Sequence, residues 1–113
     1  MHEMALCESL LQAMEEAGRA NHFTRVRRVR LEIGRFAGVE VEALRFGFDV
    51  VMRGTLAEGA ELVVLDRPGQ GWCFECNDTV PLEHRLASCP RCGGDRLQPN
   101  GGTEMTIKDL EVE

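Results

Sequence analysis

Cys73-Phe74-Glu75-Cys76 and, twelve residues later, Cys89-Pro90-Arg91-Cys92-Gly93 decide how this chain folds. A C-x-x-C pair wraps a tight turn around one metal ion, so that two sulfurs arrive from one side. Two such turns facing each other supply four thiolates in a tetrahedron, the geometry that suits zinc. Pro90 rigidifies the second turn, and Gly93 permits the positive φ that aims backbone N–H groups at sulfur. The first turn carries Asn77 at the matching place, a residue that tolerates a similar conformation. Cys73, Cys76, Cys89 and Cys92 are therefore the expected ligands of one structural zinc. Full four-sulfur ligation leaves no open position, so a catalytic zinc is not expected. The same thiolates also suit a rubredoxin-like iron centre, and a redox-active dithiol pair is a third reading.

The segment that carries these pairs, residues 70–95, has few apolar residues and prolines inside it and at its edges. A stretch of that size cannot hold a core by itself and needs a staple. The rest of the chain reads as regular structure. Met4, Cys7, Leu11 and Met14 recur at helical spacing and predict an amphipathic helix over 2–20, with Gly18 and Asn21 as its stop. Val29, Leu31 and Ile33 alternate with Arg28, Arg30 and Glu32 and predict a strand over 25–34. A second helix is expected from Val39 to Arg53, with Val41, Leu44, Phe48 and Val51 on one face and Gly54 ending it. A second strand runs from Glu61 to Arg67, and a last one over 104–112. In that last strand Met105 and Ile107 keep period two, then Leu110 and Val112 resume it out of phase, which suggests a bulge or bend near Lys108-Asp109. The fold class is α+β: a small three-stranded sheet, antiparallel or mixed, with two helices on its faces, plus an inserted zinc-ribbon-like zinc domain.

A chain of 113 residues with 43% hydrophobic content has room for one such core. It has no run of 18 or more apolar residues, the length a membrane-spanning helix needs. Glu3 and Glu8 stand where a secretory leader carries basic residues, so a cytosolic protein is expected. In that compartment five cysteines point to metal rather than disulfides. Cys7, left over from the pairs, lies in the apolar stripe of the first helix and reads as a small buried hydrophobe. The net charge of −6, made more negative by zinc-bound thiolates, disfavours nucleic acid, whose phosphates dominate affinity. Arg25, Arg27, Arg28 and Arg30 cluster around the first strand, either as a solvated edge or as a docking patch for an acidic partner. His84 reads as a loop residue, with an exchangeable zinc ligand as its functional alternative. His22 reads as an electrostatic cap on the first helix.

The opening Met1-His2-Glu3 has chemistry of its own. The α-amine, the amide nitrogen of His2 and its imidazole Nδ1 can chelate one ion, closing a five-membered and a six-membered ring. A deprotonated amide nitrogen favours square-planar Ni(II) or Cu(II) over tetrahedral Zn(II). Glu3 can fill the fourth corner or hold the imidazole by a hydrogen bond.

These pieces together resemble the HypA/HybF hydrogenase maturation proteins, a family of nickel metallochaperones. The resemblance rests on Met1-His2-Glu3-Met4-Ala5-Leu6, Val29-Arg30-Leu31-Glu32-Ile33-Gly34, Phe46-Gly47-Phe48 and the spacing of the cysteine pairs, and it covers essentially the whole chain. It implies a nickel-binding α/β domain, here 1–69 and 96–113, and a zinc-binding domain, here 70–95. It implies nickel ligands at Met1, His2 and Glu3, a transferable Ni(2+), and a structural Zn(2+). It implies a non-enzymatic carrier working with the nickel-handling GTPase HypB and the [NiFe]-hydrogenase large subunit, and in some members with a urease accessory protein. Some relatives place histidines beside the cysteine pairs. Trp72, Phe74 and Asn77 hold the flanking positions here, which argues for plain four-cysteine ligation. The competing class is a zinc-ribbon module that contacts proteins or nucleic acid.

Overall fold

A computed structural model of the chain describes residues 2–113, so the expected ligand Met1 lies outside the described residues. The elements run α1 (His2–Asn21), β1 (Val26–Gly34), α2 (Val41–Val51), β2 (Glu61–Arg67), β3 (Gly69–Cys73), β4 (Asp78–Leu82), β5 (Leu97–Gly101) and β6 (Met105–Val112). The strands form two three-stranded sheets, ordered β2-β1-β6 and β4-β3-β5. The chain divides into two compact units. The first takes the chain up to Leu31, with Val39–Val64 and Ile107–Glu113; the second holds Glu32–Gly38 and Leu65–Thr106.

In the first unit the α1 stripe buries Cys7, Leu10, Met14 and Gly18. Gly18 is not the stop that its type suggested. Its α-carbon lies against Phe23, where an added Cβ would come within 3.0 Å of the Phe23 carbonyl oxygen. The helix runs three residues further. His22 then takes a left-handed conformation (φ 60°), and the Phe23 N–H donates back to the Gly18 carbonyl. That is a Schellman cap with histidine in the usual glycine place. Helix α2 starts two residues later than expected because the Glu40 side chain caps it, accepting from the Glu42 N–H. It buries Leu44, Gly47 and Phe48. Gly47 faces α1, close to the Met4 sulfur and the Cys7 sulfur, and the Cys7 thiol donates to the Leu44 carbonyl at 3.5 Å.

The first sheet is mixed. Arg28 pairs with Glu61 and the Arg35 N–H donates to the Arg67 carbonyl, so β1 and β2 climb together, joined by the α2 crossover. Thr24 pairs with Glu113 and Gly34 with Glu104, so β6 runs antiparallel to β1. Val26, Val29 and Leu31 are fully buried, while Arg27 and Arg28 are exposed. The charged side chains of β1 are thus at least partly exposed while its apolar ones face the core. In β6 Met105, Ile107 and Leu110 are half-buried, with Lys108 and Asp109 both exposed between them, which is the phase slip read in the sequence.

Three strands that the sequence did not announce build the second unit. β3 pairs antiparallel with β4, from Gly69↔Leu82 to Cys73↔Asp78, and with β5, with a bulge between Gln70 and Gly71. Gly69 and Pro99-Asn100-Gly101 are strand residues. Among the described residues, no helix is long and apolar enough to cross a membrane.

Candidate functional site

The β3–β4 hairpin turns through residues 74–77, so the sheet itself presents the first cysteine pair. Asn77 adopts φ 53° and its N–H donates to the Cys73 carbonyl at 2.8 Å. The second pair repeats this turn between β4 and β5: Gly93 adopts φ 75° and its N–H donates to the Cys89 carbonyl at 2.9 Å. Backbone N–H groups aim at sulfur as the two turns require. Cys76 donates to Cys73 Sγ, Arg91 to Cys89 Sγ and Gly94 to Cys92 Sγ, each at 3.4 Å. An Arg91–Asp78 ion pair at 2.8 Å ties the second turn to the start of β4. Arg91 and the Thr79 N–H hold the Asp78 carboxyl below its ordinary value.

All four sulfurs lie within 4.8 Å of one another. Cys73 and Cys92 are 3.7 Å apart, Cys76 and Cys89 3.9 Å. A tetrahedron with zinc–sulfur bonds of about 2.3 Å has edges of about 3.8 Å, which these two separations match. Thiols this close also shift one another's protons. The Cys92 and Arg91 backbone N–H groups pull Cys89 down to about 7, while hydrogen bonding to the Cys92 sulfur pushes Cys76 up to about 12. His84 sits in an exposed loop and is not among the clustered ligand atoms.

The other predicted site residues open α1. His2 is exposed, and its Nδ1 lies 3.4 Å from Glu3 Oε2. The Glu3 side chain is only 12% exposed, because the same oxygen accepts the Glu40 N–H at 3.2 Å. That bond first, with the His2 contact behind it, holds the Glu3 carboxyl below its ordinary value. Glu3 is thus an ionised group fixed at the N-terminal end of α2, where unpaired N–H groups favour an anion. The sequence did not reveal Glu40 as its partner, since 37 residues separate them. The amide of His2 lies in the first turn of α1, where N–H groups have no intrahelical acceptor.

The arginines of β1 are already engaged. Arg27 pairs with Glu113, Arg28 with Glu61 and Glu111, and Arg30 with Asp109, while Arg25 donates to the Glu58 carbonyl. The charges of Arg27, Arg28 and Arg30 are met on the sheet, which leaves no basic stripe for phosphates along β1 among the described residues.

A family model described as "Hydrogenase/urease nickel incorporation, metallochaperone, hypA" matches residues 1–112. The chain belongs to the HypA family. Similar HypA relatives include the hydrogenase maturation factors HypA of Xanthobacter autotrophicus, 77% identical over 112 residues, and of Azorhizobium caulinodans, 75% identical over 112 residues; each match covers 99% of both chains. The solution structure of the Ni metallochaperone HypA from Helicobacter pylori superposes with a TM-score of 0.72 at 21% identity, covering 97% of this chain and 96% of that one. A second HypA solution structure gives 0.73 at 23% identity, covering 100% and 97%. These two share the fold: two helices with two small three-stranded sheets. The HypA family is one of hydrogenase maturation factors and nickel metallochaperones rather than of catalysts, and this member carries the cysteine cluster that suits zinc.

Proposed function

We propose that this chain is a nickel carrier that binds Ni(II) at its N-terminus and delivers it for maturation of [NiFe]-hydrogenase. The Met1 amine, the His2 amide nitrogen and His2 Nδ1 supply three planar donors, with the Glu3 carboxylate beside Nδ1. Glu3 then serves as the fourth donor or as the anion that orients the imidazole. An exposed, open-sided site of this kind lets its cargo leave. Family membership carries this reading, and the Glu3 carboxylate held beside His2 supports it. The cysteines Cys73, Cys76, Cys89 and Cys92 hold a resident zinc that folds the second unit and takes no part in nickel transfer.

In this reading residues 1–69 and 96–113 act as the nickel domain and 70–95 as the zinc domain. The partners are the GTPase HypB and the hydrogenase large subunit, with a urease accessory protein for a second client. The carrier works in the cytoplasm, catalyses no reaction, and needs neither nucleic acid nor membrane. Metal analysis of the native protein by mass spectrometry tests it. One zinc and one nickel per chain are expected, with nickel lost and zinc kept in His2→Ala. A one-residue N-terminal extension displaces the amine from its chelate position and should also abolish nickel binding. Undiminished nickel in both variants would overturn terminal ligation.

A further inference from the structure

We propose that Cys92 is where neutral oxidants enter the four-cysteine site, and that Cys73 is the sulfur that resolves the attack. This rests on the zinc reading above and extends it to the order in which the ligands let go.

The four cysteine residues are differently covered. Cys73 is 0% exposed and Cys89 2%, both packed with Val80 and Leu82. Cys76 is half-buried and Cys92 is exposed. A reagent must reach sulfur along the line of the bond it breaks, so access separates thiolates of similar character. Gly94 keeps that approach open: a Cβ there would lie 3.3 Å from Cys92 Sγ and 2.7 Å from Glu75 Oε2. The Glu75 carboxylate itself stands 4.0 Å from Cys92 Sγ. Its charge repels anionic reagents from this sulfur and leaves neutral ones, such as hydrogen peroxide, unhindered.

The chemistry closes with peroxide as the oxidant. The Cys92 thiolate attacks one peroxide oxygen; the S–O bond forms, the O–O bond breaks, and the departing hydroxide takes a proton and leaves as water. The Cys73 sulfur, 3.7 Å away, then attacks the sulfenic sulfur, and the second oxygen leaves as water. Two thiols have lost two electrons to one peroxide. The resulting Cys73–Cys92 disulfide crosses between the two turns and leaves only Cys76 and Cys89, too few donors for a structural site.

The test uses the zinc-loaded full chain treated with hydrogen peroxide. Zinc content is measured first, zinc release is followed with a chromogenic chelator, and modified peptides are mapped with dimedone as a sulfenic-acid trap. The expected result is a dimedone adduct on Cys92 before any other cysteine, then a Cys73–Cys92 disulfide as zinc is lost. In parallel, Glu75→Gln should speed modification of Cys92 by dithiobis(nitrobenzoate), a dianion, by about fivefold, the order expected for a unit charge a few ångströms away in water, with little change for a neutral maleimide. A chain that holds no zinc before oxidant is added overturns the zinc reading and this proposal with it. A zinc-loaded chain modified first at Cys76, or a Glu75→Gln variant with no charge-selective change, overturns this proposal alone.

Discussion

The two units exclude water by different means. In the first, Met14, Leu31, Leu44, Phe48 and Met52 are buried side chains drawn from both helices and the sheet. In the second, the buried cluster is Cys73, Val80, Leu82 and Cys89, with Phe36, Cys76, Ala87 and Leu97 partly buried around it. The first core is made of groups whose transfer from water is favourable in itself. In the second, half of the fully buried members are candidate metal ligands. The comparison teaches that the second sheet has no large apolar core and instead gathers four sulfurs where a core would be.

Removing the metal breaks this contrast most severely. Structural zinc in small finger peptides is worth about 10–16 kcal/mol, more than a cluster of this size supplies by burial. A strong chelator, or Cys73→Ser, should therefore collapse the dispersed amide signals of Gly69–Gly101 while the helical signals of α1 and α2 persist. Unchanged signals across β3, β4 and β5 would remove the ion's structural role. The converse test is Phe48→Ala in the first unit. A cavity left by a side chain that is 2% exposed should cost about 3–5 kcal/mol in denaturant unfolding, with zinc content unaltered.

A smaller effect of opposite sign is expected at the end of α1. His22 holds φ 60° without the freedom of glycine, so His22→Gly should stabilise the first unit by about 0.5–1 kcal/mol, read from its thermal midpoint. The smallest effect is acidic. Asp109, beside Arg30, and Asp78, beside Arg91, have carboxyls held below their ordinary values by those guanidinium groups. A carboxyl of lower pKa in the folded chain stabilises the fold above its unfolded value, about 3.9, and loses that contribution as pH falls through its folded value. Both units should thus weaken on acidification, with no gain above neutrality. Asp109→Asn should flatten the acid limb of the first unit's melting curve, and Asp78→Asn that of the second.

Periodicity made α1, β1 and α2 legible, β2 read as a short apolar run, and β6 kept period two on either side of its slip. β3, β4 and β5 escaped notice because they are only five residues each and carry glycine or proline in place of β-branched and aromatic residues at several inward positions, as in Gly69-Gln70-Gly71-Trp72 and Leu97-Gln98-Pro99-Asn100-Gly101. The cysteine pairs were legible as a cluster because ligand type and spacing are local properties, and the sulfurs do converge. The grip of Glu40 on Glu3, the ion pairs that occupy the β1 arginines, and the differing exposure of the four sulfurs were not legible.

By itself the sequence determined which residues turn tightly enough to present sulfur and which stripes seek burial. Each of these depends on chemistry within a few residues. Only the tertiary structure decided that the sheet is mixed, that the charged side chains of β1 are ion-paired, that Glu3 is anchored at the start of α2, and that Cys92 alone among the four cysteines is exposed. Those outcomes depend on which distant segments come to lie side by side, and no local pattern carries that information.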